Sequence, residues 1–154
     1  MSFKHKLLAS AYIPLLATNK FLKFVGLKPY SQLRIVNYHN IGLDEQLQFA
    51  AQLRWLKKSW NFVSPRQFAD MMSGDEPIKV PNLLLTFDDG FASNRRVAEQ
   101  VLNPMGIQAL FFVVPDFVDL VEEEDSRDFI ARKIWKNITP ETVPHGWRNM
   151  TWAD

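Results

Sequence analysis

One segment limits the possible folds of this chain more than any other: a short apolar run that ends in two adjacent carboxylates and a glycine. Residues 82–91 read NLLLTFDDGF, and such a continuous run is typical of a strand buried on both faces. In α/β sheets and barrels, active sites and ligand-binding sites lie at the carboxyl ends of the strands. Because neighbouring strand residues point to opposite faces, Asp88 and Asp89 can serve one site only if the strand breaks there. Gly90 permits that break, since glycine tolerates positive φ.

The residues that follow the carboxylates predict a helix rather than the return strand of a hairpin. Asp-Gly is common in hairpin turns, but residues 92–102 place apolar side chains at helical spacing. Pro104 and Gly106 predict the end of this helix, and residues 109–114 form a second buried strand. The order of strand, acidic loop, helix and strand predicts a βαβ unit.

A second strand end, upstream of the first, carries a histidine. Residues 33–38 predict a strand that leads into His39, so His39 occupies the same kind of position as Asp88. Two interpretations stay open: His39 contributes to a pocket, or it hydrogen-bonds the backbone of a loop. His145 lies in a turn-rich loop at residues 139–149 and is interpreted as a surface side chain.

Periodicity and capping signals predict the remaining elements. Residues 45–59 predict a helix with one apolar stripe, and residues 62–63 predict a short strand. Residues 64–67 (SPRQ) combine an N-cap serine, a proline in the first turn and a capping-box glutamine, and Gly74 predicts the end of that helix. Residues 128–136 predict one more short helix.

The first 32 residues predict an N-terminal helical segment. Residues 7–17 form an apolar run after a basic start, but the run is too short to span a bilayer and no small-x-small cleavage site follows it. The segment is either a kinked helix packed on the domain or a helix on a membrane surface. Pro14 favours packing on the domain, and a cytoplasmic or membrane-peripheral location is favoured over export.

Charge and composition exclude several classes of function. The 18 basic and 17 acidic residues give a net charge of +1, and the basic residues are scattered, so nothing indicates a nucleic-acid partner. The chain has no cysteine, which excludes disulfides, thiol catalysis and zinc sites built from thiolates. A hydrophobic content of 47% argues against disorder.

The segments around both strand ends resemble one family, the polysaccharide deacetylases, also called NodB-homology carbohydrate esterases. Residues 85–91 (LTFDDGF), with ALFFV at residues 109–113, are similar to the family's first motif and the strand after it. Residues 37–41 (NYHNI) resemble the Tyr-His segment that precedes the domain in many members. The resemblance runs from about Leu33 onward and is strongest over residues 81–115.

The resemblance implies a fold and a domain organisation. An α/β fold is expected that contains the N-terminal portion of a distorted (β/α) barrel of the glycoside hydrolase/deacetylase type. Residues 1–32 would then be the N-terminal helical segment, residues 33–80 a strand-helix lead-in, and residues 81–154 the NodB-homology deacetylase domain. Because an α/β barrel generally needs about 200 residues or more, a chain of 154 residues would hold only part of one.

The resemblance also implies a metal-dependent hydrolase that removes acetyl groups from a sugar or polysaccharide. Asp88 matches the family's catalytic base, and Asp89 matches a ligand of a divalent metal, zinc or similar. The partner would be an acetylated saccharide. The chemistry is reasonable, because a metal polarises an amide carbonyl and acidifies water, and a nearby carboxylate can take the water's proton.

The chain departs from the family pattern at the rest of the metal site. The family completes this site with two histidines a few residues apart, but the only histidines are His5, His39 and His145, and no two have that spacing. The implied metal site is therefore incomplete. The chain is expected to be the N-terminal part of a deacetylase, from a truncated gene product or a partial sequence.

Two other functions stay open. One is a degenerate deacetylase domain that binds carbohydrate without catalysis. The other is a magnesium-dependent phosphotransferase, which also uses acids at a strand end. Phosphotransferase sites resemble Asp-x-Asp-Gly more than the Asp-Asp-Gly-Phe found at residues 88–91, so this function ranks lower.

Overall fold

The computed structural model of the chain describes residues 32–153 as four strands and six α-helices. The strands are β1 (Leu33–Tyr38), β2 (Asn61–Phe62), β3 (Asn82–Phe87) and β4 (Ala109–Phe111). The helices are α1 (Gln46–Leu56), α2 (Pro65–Ser73), α3 (Ala92–Val97), α4 (Asn103–Met105), α5 (Pro115–Val118) and α6 (Glu123–Phe129). Short turns complete the chain: π-helical at Ala98–Leu102 and Ile130–Ile134, and 3-10 at Pro140–Thr142. The helical segment predicted at residues 1–32 lies outside the described residues, except for Gln32.

The strand that carries the carboxylates, β3, is the centre of a parallel sheet. β1 pairs with β3 along its whole length, from Leu33 opposite Asn82 to Tyr38 opposite Phe87. β2 pairs with the first two residues of β3 and β4 with the last three, so these two short strands share its other edge. Over residues 32–153 the sheet is open. The parallel α/β sheet is confirmed, and the barrel stays a prediction.

All six residues of β3 are buried, as its apolar sequence predicted. Their side chains alternate between hydrophobic clusters on opposite faces of the sheet. The larger cluster joins β3 to α1 and α3 and includes Phe49, Leu53, Leu85, Phe87, Val97 and Leu102. The smaller cluster joins Leu84 to Val63 and to Met71 of α2. Packing on both faces therefore fixes the position of the strand end where the carboxylates follow.

The capping signals predicted α2 correctly. The Gln67 N–H donates to Ser64 Oγ at 3.1 Å, and the Ser64 N–H donates to Gln67 Oε1 at 2.9 Å, which completes the capping box. Gly74 ends the helix with φ 90°. Both ends of this helix are therefore fixed by local sequence.

Other predicted elements are present, but some of their boundaries differ from the prediction. The helix predicted at residues 92–102 contains a π-helical turn after Val97, and the helical backbone continues through Pro104 to Met105, where Gly106 ends it with φ 64° as predicted. β4 ends at Phe111, three residues earlier than predicted. The helix predicted from residue 128 begins at Glu123, because acidic side chains stabilise the first turn of a helix. No helix within residues 32–153 is long and apolar enough to cross a bilayer.

Candidate functional site

The chain leaves the β conformation directly after Asp88. Asp89 has φ 75° and Gly90 has φ 86°, and Asp89 is the one non-glycine residue with positive φ within residues 32–153. Aspartate adopts the left-handed region more readily than most residues because its short polar side chain can hydrogen-bond locally. The strand break predicted from the sequence therefore spans Asp89 and Gly90, and it lets both carboxylates lie at the same edge of the sheet.

Main-chain hydrogen bonds from three segments hold this acidic loop. The Asp88 N–H donates to the Tyr38 carbonyl at 2.9 Å, and the Val114 N–H donates to the Asp89 carbonyl at 3.2 Å. The Met150 N–H donates to the Gly90 carbonyl at 2.8 Å. The loop is thus tied to β1, to the chain after β4 and to a segment some 60 residues downstream.

Asp88 is oriented by Asn37 of the neighbouring strand β1, which is itself held by Thr86 of β3. Asn37 lies opposite Thr86 in the β1–β3 register, and the Thr86 hydroxyl donates to Asn37 Oδ1 at 2.8 Å. This bond turns the amide nitrogen of Asn37 toward Asp88, where it donates to Oδ2 at 2.7 Å. Asp88 Oδ1 has no hydrogen-bond partner within residues 32–153. One oxygen of the carboxylate is held and the other is available to a ligand.

His39 contacts the second carboxylate. His39 Nδ1 lies 2.7 Å from Asp89 Oδ2, and the two side chains are 45% and 16% exposed. An ionised carboxylate only accepts hydrogen bonds, so with Asp89 ionised the proton of this bond lies on Nδ1, which donates to Oδ2. The His39 ring therefore contacts a carboxylate of the acidic loop, whereas one of the two interpretations had it bonding the backbone of a loop. A role in substrate binding stays a prediction.

The described residues do not supply a complete metal site. No group of three or more histidine, cysteine or acidic side chains in the 32–153 range is arranged to hold a metal ion. Hydrolytic zinc sites generally use three protein ligands. His145 does not approach Asp89, because it lines a cleft beside the acidic residues 122–125. The donors around Asp89 therefore do not fit a metal ion by themselves.

Sequence reasoning missed the polar residues that support the carboxylates. Asn37 precedes His39 by two residues, and side chains two apart in an extended chain point the same way, which is the one signal that could have identified Asn37. Asn94 of α3 is 1% exposed, and its amide nitrogen lies 3.5 Å from the Asp88 carbonyl oxygen.

Tyr38, between Asn37 and His39, points to the opposite face of the sheet and stacks on Phe87 with ring centroids 5.6 Å apart. Burial raises the pKa of Tyr38 to about 12.

Known proteins resemble this chain over part of its length. "Putative polysaccharide deacetylase YxkH" of Bacillus subtilis (strain 168) is 29% identical over an alignment of 90 residues, and the match covers 54% of this chain and 32% of YxkH. The structure of IcaB from Ammonifex degensii matches with 27% identity and a TM-score of 0.56, over 67% of this chain and 49% of that one. A de-N-acetylase from Aggregatibacter actinomycetemcomitans matches at 23% identity with a TM-score of 0.49, over 58% of this chain and 40% of that one. No family model matches the chain.

The predicted resemblance to the polysaccharide deacetylases is confirmed. It holds for part of a domain, because the chain spans 32% of YxkH and 49% of the IcaB chain.

Proposed function

We propose that this chain carries the general base of a sugar deacetylase and that its sheet is the N-terminal portion of a distorted (β/α) barrel. One observation supports this above all: consecutive carboxylates follow the central parallel strand, and separate partners, Asn37 and His39, orient them. Ligands bind at the carboxyl ends of strands in α/β folds. The similarity to YxkH, a protein named for polysaccharide deacetylation, favours an acetylated saccharide as the substrate.

The proposed reaction is hydrolysis of an acetamide on a sugar ring. Asp88 takes a proton from water through Oδ1 while the water oxygen attacks the acetyl carbonyl carbon. The C–N bond then breaks as the protonated Asp88 passes its proton to the sugar nitrogen. The acetyl group leaves as acetic acid, which ionises to acetate, and the free amine is the other product. Asn37 contributes by occupying Oδ2, which leaves Oδ1 as the oxygen that faces the water.

Asp89 is the proposed metal ligand. His39 holds its Oδ2, so Oδ1 would face the metal. Hydrogen-bonded partners of this kind commonly fix the orientation of metal-binding carboxylates. The further ligands would have to be groups other than those described, since residues 32–153 hold no set of three. The proton transfer above is therefore assigned to Asp88 alone.

Acetate release from N-acetylglucosamine oligomers tests the proposal. The full chain is assayed with added Zn²⁺, Co²⁺ or Ni²⁺, alongside Asp88→Asn and the matched control Asp75→Asn. Asp75 is an exposed acid in the connection between α2 and β3. Loss of a general base typically costs about 10²–10⁴-fold in rate, so Asp88→Asn should lose this factor while Asp75→Asn keeps the parent rate.

Two results would contradict the proposal. The first is equal acetate release by Asp88→Asn and the parent. The second is no acetate release with any metal, together with saccharide binding that neither a chelator nor Asp89→Ala weakens. That second result would favour a carbohydrate-binding domain. Phosphate release that requires Mg²⁺, without acetate release, would favour a phosphotransferase.

A further inference from the structure

Two side chains of α3 hold the loop that carries His39. The Ser93 hydroxyl accepts a hydrogen bond from the Ile41 N–H at 3.3 Å and donates one to Asn40 Oδ1. Arg96 Nη2 donates to the Ile41 carbonyl at 2.7 Å. Both main-chain polar groups of Ile41, and the side chain before it, are thus bound by one helix.

The two side chains suit this task by their spacing and burial. Ser93 and Arg96 are three residues apart, so they lie on the same face of the helix. Ser93 is 7% exposed, and its hydroxyl is used both as donor and as acceptor. Arg96 also donates through Nε to Gln46 Oε1 at 3.0 Å, which connects the loop to the first residue of α1. The loop is therefore fixed between two helices.

The same helix also follows directly from the acidic loop. α3 begins at Ala92, three residues after Asp89. Ser93 also binds Asn40, which is the residue directly after His39. α3 is thus connected to Asp89 through the chain at its start and to the His39 loop through the side chains of Ser93 and Arg96. The His39 side chain itself is 45% exposed.

We propose that Ser93 and Arg96 are positioning residues that hold His39 Nδ1 against Asp89. The inference rests on the proposed function, in which His39 orients Asp89 as a metal ligand, and it names the residues that hold His39 in place. It concerns the hydrogen bond between His39 and Asp89, which exists whether or not the chain turns over a sugar. Neither Ser93 nor Arg96 touches the reacting atoms.

The test is an NMR measurement on the full chain labelled with ¹⁵N-histidine. His39→Gln assigns the His39 signals among the three histidines of the chain. A donated Nδ1–H is expected as a ring N–H resonance protected from exchange with water. Arg96→Met removes both hydrogen bonds while keeping most of the apolar stem, and Ser93→Ala removes the hydroxyl. Both variants should lose the protected resonance, and Ser93→Thr, which keeps a hydroxyl, should retain it.

Arg95→Ala is the matched control. Arg95 is the neighbouring residue on α3 and pairs with Glu99 on the exposed side of the helix, so its loss should leave the His39 resonance unchanged. Urea unfolding of each variant separates a local change from loss of the fold. If Arg96→Met does not fold, Ser93→Ala decides the outcome. A folded Arg96→Met or Ser93→Ala chain that keeps the protected resonance overturns the inference.

The two proposals fail in different ways. A chain that releases no acetate but loses the His39 resonance in Arg96→Met supports the positioning role and counts against the deacetylase. A chain that releases acetate while the resonance persists in both variants supports the deacetylase and refutes the positioning role.

Discussion

Replacing Gly90 with alanine should destabilise the fold by two separable effects. The first is the left-handed backbone, because φ is 86° and an L-residue there costs roughly 1–2 kcal/mol. The second is crowding, because a Cβ on Gly90 would lie 3.3 Å from Val113 Cγ1 and 3.3 Å from Val118 Cγ2. Val113 is half-exposed and can move, but Val118 is 4% exposed and packed in α5. Overpacking of this kind costs about 1 kcal/mol at its lower limit, so the sum is roughly 2–3 kcal/mol.

Gly74 offers a control that isolates the backbone effect. Its φ is 90°, and an added Cβ would meet nothing within 4 Å. Urea unfolding followed by tryptophan fluorescence gives the free energy of unfolding of both variants and the parent. Gly74→Ala should lose roughly 1–2 kcal/mol, and Gly90→Ala should lose about 1 kcal/mol more. Equal losses in the two variants would refute the packing term, and no loss in Gly90→Ala would refute the reasoning as a whole.

Three further substitutions probe the strands and the loop. Thr86→Val removes the hydroxyl that orients Asn37 and should lower the free energy of unfolding by about 1 kcal/mol; an unchanged urea midpoint would contradict this. Phe91→Ala opens a cavity in the buried cluster where Phe91 stacks on Trp135, so a loss of about 3–5 kcal/mol is expected in the same assay. Tyr38→Phe removes a buried hydroxyl that has no partner within residues 32–153 and should raise stability at neutral pH by about 1 kcal/mol. Because burial raises the pKa of Tyr38 from 10.0 to about 12, the unfolded state ionises first, so the parent should lose stability between pH 10 and 12. Tyr38→Phe should lack that part of the loss, and identical alkaline profiles would count against the assignment.

The parts of the fold that follow from local sequence were predictable. Burial on both faces leaves an unbroken apolar run in β3, and the serine, proline and glutamine before α2 are a local capping signal. The sharing of one edge of β3 by β2 and β4 was not predictable. Strand pairing is a tertiary property that depends on how helices pack on the sheet, and two- or three-residue strands carry almost no periodic signal.

The candidate site also contains residues that the sequence predicted and residues that it did not. Asp88, Asp89 and Gly90 lie in one loop, so their sequence predicted both the strand break and the cluster of carboxylates. Asn37 was not recognised, because only the β1–β3 register places it opposite Thr86. Arg96 was not recognised either, since an arginine on a helix ordinarily indicates a solvated face, and its contacts come from residues 50 and 55 positions away.

The complete burial of β3 has a consequence for the unfolded chain. Six consecutive residues without charge or proline, NLLLTF, form the kind of segment that associates with copies of itself when exposed. Asp88 and Asp89 follow this segment directly, and charges in that position act as gatekeepers against aggregation. Selection on these two acids would then act on solubility during synthesis as well as on the folded site. Refolding yield at several protein concentrations would reveal that second role, because neutralising both acids should lower the yield most where the chain is most concentrated.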